Sequence, residues 1–247
     1  MRAEFPVVEI FGPTIQGEGP LIGSPCYFIR FGGCDYRCSW CDSMHAVDPG
    51  EVRKAPLLDP YEILERLENL PGSADWVILS GGNPALHDLG LLCSLLRERS
   101  FKVQVETQGS IWAPWLLETD LVVVSPKPPS SGMSPRLERL SSFFRNLPTV
   151  DTRLALKFVV FGPQDLEFAR DILHEFDYLD SSGPDEHRRE VLPVFFSAGT
   201  DVDSFSVQGV LERTRWLAET VSHDHELYIG RVLPQLHALL WGQEKGR

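Results

Sequence analysis

The chain has 247 residues, 43% hydrophobic, 23% charged and 10% aromatic, a globular composition that excludes a disordered tail protein, a coiled coil and a collagen-like fibre. Its net charge of −12, from 35 acidic and 23 basic residues, argues against a grip on nucleic-acid backbone, which needs excess Lys and Arg. Apolar runs such as Leu121-Val122-Val123-Val124 are far shorter than the roughly 18 residues of a membrane-spanning helix, and Met1 to Gly12 lacks an apolar signal region. The expectation is one cytoplasmic domain over 1–247 that handles small molecules, with its cysteines held as thiols or metal ligands.

The first feature in chain order is Ile15-Gln16-Gly17-Glu18-Gly19. It reads either as a glycine-softened hairpin loop or as a lid offering an amide and a carboxylate to a ligand. A strand is predicted at 26–31. Within it Arg30 needs a partner, either an anionic substrate group or an internal salt bridge.

Cys34-Asp35-Tyr36-Arg37-Cys38-Ser39-Trp40-Cys41 follows, after the flexible pair Gly32-Gly33. Three unconnected thiols are one reading, and a Cys₃His zinc site completed by His45 is another. The third is a cubane iron–sulfur cluster, which normally takes four cysteines; three leave one iron open to a small molecule. Cys26 and Cys93 sit in apolar surroundings and read as core thiols. Ser43 is a turn hydroxyl just past the loop.

Asp59-Pro60-Tyr61-Glu62 starts a helix, with Tyr61, Leu64, Leu67 and Leu70 predicted on one face. Further strands are predicted at 75–79, 101–106, 120–124, 154–161, 191–196 and 226–229. They are apolar almost throughout, as in a parallel sheet covered on both sides. Ser80-Gly81-Gly82-Asn83-Pro84, Glu106-Thr107-Gln108-Gly109 and Ser125-Pro126-Lys127 each close a strand, where α/β folds place ligand contacts; ordinary turn chemistry is the alternative. Helices are predicted after Gly162-Pro163 (Leu166, Ala169, Leu173 and Phe176 on a face) and along Val207, Val210, Leu211, Thr214, Leu217 and Val221. Exposed loops are expected at 128–135, 180–190 and 197–203. This alternation makes the chain an α/β protein of βα units.

Cys-x₃-Cys-x₂-Cys with Trp40 before the last cysteine resembles the radical S-adenosylmethionine enzymes. With Gln16-Gly17-Glu18-Gly19, Arg30, Cys41-Asp42-Ser43, the three strand-end motifs and Leu233-Pro234-Gln235-Leu236-His237, the chain from about residue 7 onward resembles the 7-carboxy-7-deazaguanine synthases. The resemblance implies a partial, modified (β/α) barrel, a homodimer and an external one-electron donor of flavodoxin or ferredoxin type. The implied reaction turns 6-carboxy-5,6,7,8-tetrahydropterin into 7-carboxy-7-deazaguanine and ammonia, a step toward queuosine.

Carried over by motif, Cys34, Cys38 and Cys41 would hold a [4Fe-4S] cluster. Trp40, Cys41, Asp42, Gly82, Ser125, Pro126 and Lys127 would bind S-adenosylmethionine. Ile15, Gln16, Gly17, Glu18, Arg30, Ser80, Glu106 and His237 would bind the pterin, and Ser43, where the family commonly has Thr, would bind Mg²⁺. The chain departs from the superfamily in carrying Asn83 where Glu is commoner, and residues 238–247 extend beyond His237. A glycyl-radical activase shares the cysteine spacing, and a zinc-stabilised binding module is the rival from another class.

Overall fold

The computed structural model describes residues 3–146, 153–176, 192–201, 203–242, 244 and 246. Its strands are β1 (Phe5–Ile15), β2 (Pro25–Phe31), β3 (Leu57–Leu58), β4 (Trp76–Gly81), β5 (Lys102–Thr107), β6 (Leu121–Val124), β7 (Arg153–Val160), β8 (Val194–Ala198) and β9 (Arg231–Leu233). They form one open sheet in the order β3-β1-β2-β4-β5-β6-β7-β8-β9. From β2 to β9 all neighbours are parallel. β1 runs antiparallel to β2 and β3. This is the partial (β/α) barrel that the family resemblance implies.

Side-chain alternation along each strand divides the interior. In β7, Leu154, Leu156, Phe158 and Val160 point outward into the main core, under helices such as Pro163–Glu175. Ala155 points inward and packs with Leu121, Val123 and Phe195 into a small apolar plug. Above that plug the inward side chains turn polar: Arg30 on β2, Ser80 on β4, Glu106 on β5 and Lys157 on β7 all line a pocket. Apolar surface buried on the outer face, worth about 25 cal/mol per Å², stabilises the sheet that carries this polar inner layer.

Helix starts follow the expected chemistry. Asp59 caps Pro60–Glu68 and forms a reciprocal capping box with Glu62. The buried face of that helix is Pro60, Ile63, Leu64 and Leu67, while Tyr61 is exposed, so the stripe is rotated from the predicted one. In Val207–Ser222, Val210, Leu217 and Val221 are buried, whereas Val207 and Leu211 face outward.

Three further expectations need correction. The run predicted as a strand at 226–229 contains a 3₁₀ turn (Leu227–Ile229), and the strand proper begins after Gly230. Ser197 and Ala198, expected in a loop, are the buried end of β8. β1 is a strand that the pattern does not announce: it is half-buried and interrupted by Gly12-Pro13, so its apolar alternation is weak. The expected loop at 180–190 lies outside the described residues.

Candidate active site

The parallel strands deliver their carboxyl ends to one pocket of about 400 Å³. Every predicted site residue lines it except Pro126, which is buried beside it.

The cysteine loop leaves β2 through Gly32 and Gly33, the latter at φ +100°. Gly82 of the next loop rests directly on the Gly33 carbonyl, and Gly81 rests on the Phe31 backbone; a Cβ on either would collide with main chain. The two glycines of Ser80-Gly81-Gly82 are therefore demanded by loop-on-loop packing, quite apart from any ligand. Cys34 Sγ accepts from Tyr36 N at 3.4 Å and from Gln108 Nε2 at 3.6 Å.

The far side of the loop is tied to 128–135, a segment that carries no functional signal in its sequence. Ser39 N donates to Ser131 O at 2.9 Å, Ser39 Oγ to Ser130 O at 2.9 Å and Trp40 Nε1 to Ser130 Oγ at 3.1 Å. Trp40 also packs on Phe161, with Lys127 Nζ 5.7 Å from its ring centroid. Lys127 Nζ donates to Ser125 Oγ at 3.3 Å.

Burial pushes the Cys34, Cys38 and Cys41 thiols up, Cys41 to about 11, with Lys127 opposing the rise at each. Cys26 and Cys93 are wholly buried, and burial takes both to about 12, as inert core thiols should be.

The other half of the pocket is a charge network. Lys157 Nζ pairs with Glu18 at 2.6 Å and lies 3.9 Å from Glu106. Gln16 Nε2 and Ser80 Oγ each donate to Glu106 at 3.1 Å. Gln235 Nε2 donates to Glu18 at 3.1 Å. Burial pushes the Glu18 carboxyl up, but Lys157, His237 and Gln235 outweigh it and hold it at about 2. Lys157 is raised above its ordinary value by Glu18 and Glu106 despite the opposing cost of burial.

The segment after β1 and the tail lock together here. Leu236 N donates to Gly17 O at 2.9 Å, and the His237 ring lies against Gly17 where a side chain would go. Buried Gln235 Oε1 and Thr200 Oγ1, on residues that line the same pocket, have no hydrogen-bond partner among the described residues.

Arg30 has an internal partner. Its Nε contacts Glu9 at 2.7 Å and its Nη1 donates to Ser43 Oγ at 2.9 Å, while Ser43 Oγ donates to Asp42 at 2.9 Å. Burial raises the Glu9 carboxyl, and Arg30 and His45 bring it below its ordinary value. Glu9 and Lys157 are site residues that the sequence motifs do not include. Lys157, a lone cation in the apolar run Leu154-Ala155-Leu156-Lys157-Phe158, carries the same signal that singles out Arg30.

The Radical SAM superfamily model matches residues 28–124. The 7-carboxy-7-deazaguanine synthase of Bacillus cereus is 38% identical over 99% of both chains, and that of Bacillus subtilis 38% identical over the whole of both. The chain belongs to the 7-carboxy-7-deazaguanine synthase family. The crystal structure of QueE from Escherichia coli shares the fold, with a TM-score of 0.69, 24% identity and 95% coverage of each chain. SuiB of Streptococcus suis, bound to its precursor peptide SuiA, gives a TM-score of 0.51 at 14% identity and covers 83% of this chain but 48% of that one.

The donor set, three thiols lining one pocket, fits the family's cluster. All three thiols face one pocket, yet among the described residues no three Cys, His, Asp or Glu side chains are grouped to hold a single ion. A cubane assigns each cysteine its own iron and so spreads its ligands. His45, the would-be fourth zinc ligand, lies 3.4 Å from Glu9.

Proposed function

We propose that this chain converts 6-carboxy-5,6,7,8-tetrahydropterin to 7-carboxy-7-deazaguanine with release of ammonia, as a carbon–nitrogen lyase. One observation carries the reading: a single pocket joins the three-cysteine loop to a buried layer of paired carboxylates, amides and cations. Cys34, Cys38 and Cys41 would hold the [4Fe-4S] cluster, and Trp40, Asp42, Gly82, Ser125 and Lys127 would hold S-adenosylmethionine beside it. When bound, that pair supplies a hydrogen-abstracting adenosyl radical.

The chain's own residues orient the substrate. Glu18, kept ionised by Lys157, and Glu106, 3.9 Å from the same cation, accept hydrogen bonds from the donor-rich edge of a pterin. Gln16 both donates and accepts, Ser80 holds Glu106, and Ile15, Gly17 and His237 close the pocket against water. Arg30 meets the substrate carboxylate while Glu9 and Ser43 fix its guanidinium. Ser43 Oγ donates to Asp42, accepts from Arg30 and keeps one lone pair, which we assign to Mg²⁺ beside that carboxylate. A homodimer fed by a flavodoxin- or ferredoxin-type donor completes the proposal. No described helix is long and apolar enough to cross a membrane.

Arg30→Lys should raise KM for the pterin roughly tenfold, since a point charge replaces a planar fork. An unchanged KM confines Arg30 to its bond with Glu9. Ser43→Ala should retain the cluster and S-adenosylmethionine binding but move the Mg²⁺ optimum upward or erase it, with Ser43→Thr active. A titration identical to wild type places the metal elsewhere. The activity itself is tested by anaerobic incubation of reconstituted protein with S-adenosylmethionine, reductant, Mg²⁺ and the carboxylated pterin. One ammonia per deazaguanine is expected. Cleavage of S-adenosylmethionine with the pterin untouched refutes it.

A further inference from the structure

Asn83 stands where the superfamily motif commonly has Glu, and its side chain is wholly buried. All four hydrogen-bonding positions of its carboxamide are used. Oδ1 accepts from Thr107 Oγ1 at 2.9 Å and from Ala85 N at 3.3 Å. Nδ2 donates to Asp35 Oδ1 at 3.0 Å and to Ser110 Oγ at 3.2 Å. The orientation is fixed by chemistry: a carboxylate only accepts and a backbone N–H only donates, so the nitrogen faces Asp35 and the oxygen faces Ala85.

Asp35 directly follows Cys34. The same Asp35 Oδ1 accepts from Gln108 Nε2 at 2.6 Å, and that nitrogen also reaches Cys34 Sγ at 3.6 Å. Two neutral carboxamides, one after β4 and one after β5, thus converge on a single acid in the cysteine loop. A carboxylate at position 83 would meet Asp35 at hydrogen-bond distance with no proton between them.

We infer that Asn83 is a positioning residue for the cysteine loop, a neutral bridge that Asp35 requires and through which Cys34 is held at the strand ends. Asn83 here belongs with an acid at position 35, and Glu would not substitute for it. This rests on the cluster-binding reading above.

The test is a charge swap read by cluster retention, independent of turnover. Wild type, Asn83→Asp, Asp35→Asn and the double variant are reconstituted anaerobically. Iron and sulfide are then counted, and iron loss to a chelator is timed without S-adenosylmethionine. Asn83→Asp should lose iron roughly tenfold faster, and the double variant should return to within about twofold of wild type. In the double variant the amide now at position 35 can donate to the acid now at position 83 and still accept from Gln108. Wild-type retention in Asn83→Asp, or a double variant no better than it, overturns the inference. Should Asn83→Asp fail to fold, Asp35→Ala at its exposed position decides. Faster iron loss at an unchanged apo-protein melting temperature supports the bridge, and unchanged retention overturns it. A wild type that takes up no cluster would instead defeat the functional reading itself.

Discussion

Cys34→Ala, Cys38→Ala and Cys41→Ala each abolish turnover, a fall of at least about a thousandfold, and each leaves less iron and sulfide than the wild type. The three thiols share a pocket wall and burial disfavours their charged form, so the bare loop gains nothing from ionising them until metal takes the protons' place. Cys93→Ala is the control. Its thiol is buried in the core among leucines, away from the pocket, so cluster content stays at the wild-type level while stability falls by about 1 kcal/mol. A full cluster in Cys38→Ala would remove the cysteine loop from the account.

Lys157→Met has the largest expected effect outside the cysteines. It leaves the Glu18 carboxylate, largely buried and 2.6 Å from the ammonium, without its cation, a loss of about 3–5 kcal/mol when one partner of a buried pair is removed. The pH profile carries the signature. In the wild type, Glu18 is held at about 2 against an ordinary 4.5, so its contribution is present above 4.5 and disappears as pH falls toward 2. Lys157, raised above its ordinary 10.5, contributes fully below 10.5 and loses this only as pH rises beyond it. Stability from the pair is therefore level between those limits. In Lys157→Met burial pushes the Glu18 carboxyl upward with its main counter-charge gone, so stability should decline as rising pH ionises that acid. Adding Glu18→Gln should recover part of the loss. Equilibrium unfolding from about pH 4 to 9 checks this, and a flat Lys157→Met profile contradicts it.

The cysteine loop and the strand ends are legible because both are local. Thiol spacing, paired glycines and apolar runs can be read within a short window, and the fold places such ends together. What stays hidden is pairing across the barrel. Glu9 with Arg30 depends on strand register, and Glu18 with Lys157 and Ser130 with Trp40 join loop positions to residues far away in the chain, which no local pattern shows. β1 escapes notice because half-burial and the Gly12-Pro13 break blur its alternation. The rotated stripe of Pro60–Glu68 shows the limit of periodicity: Tyr61 and Ile63 are both apolar enough to face inward, and packing chooses Ile63.

Label transfer from the substrate tests the central claim most directly. The carboxylated pterin, deuterated at C6, is incubated anaerobically with reconstituted protein, S-adenosylmethionine, reductant and Mg²⁺. The account predicts that deuterium enters the adenosyl 5′ position of S-adenosylmethionine as 7-carboxy-7-deazaguanine and ammonia accumulate. Deazaguanine formed with no label in the cofactor, or labelled cofactor with the pterin ring left intact, would contradict it.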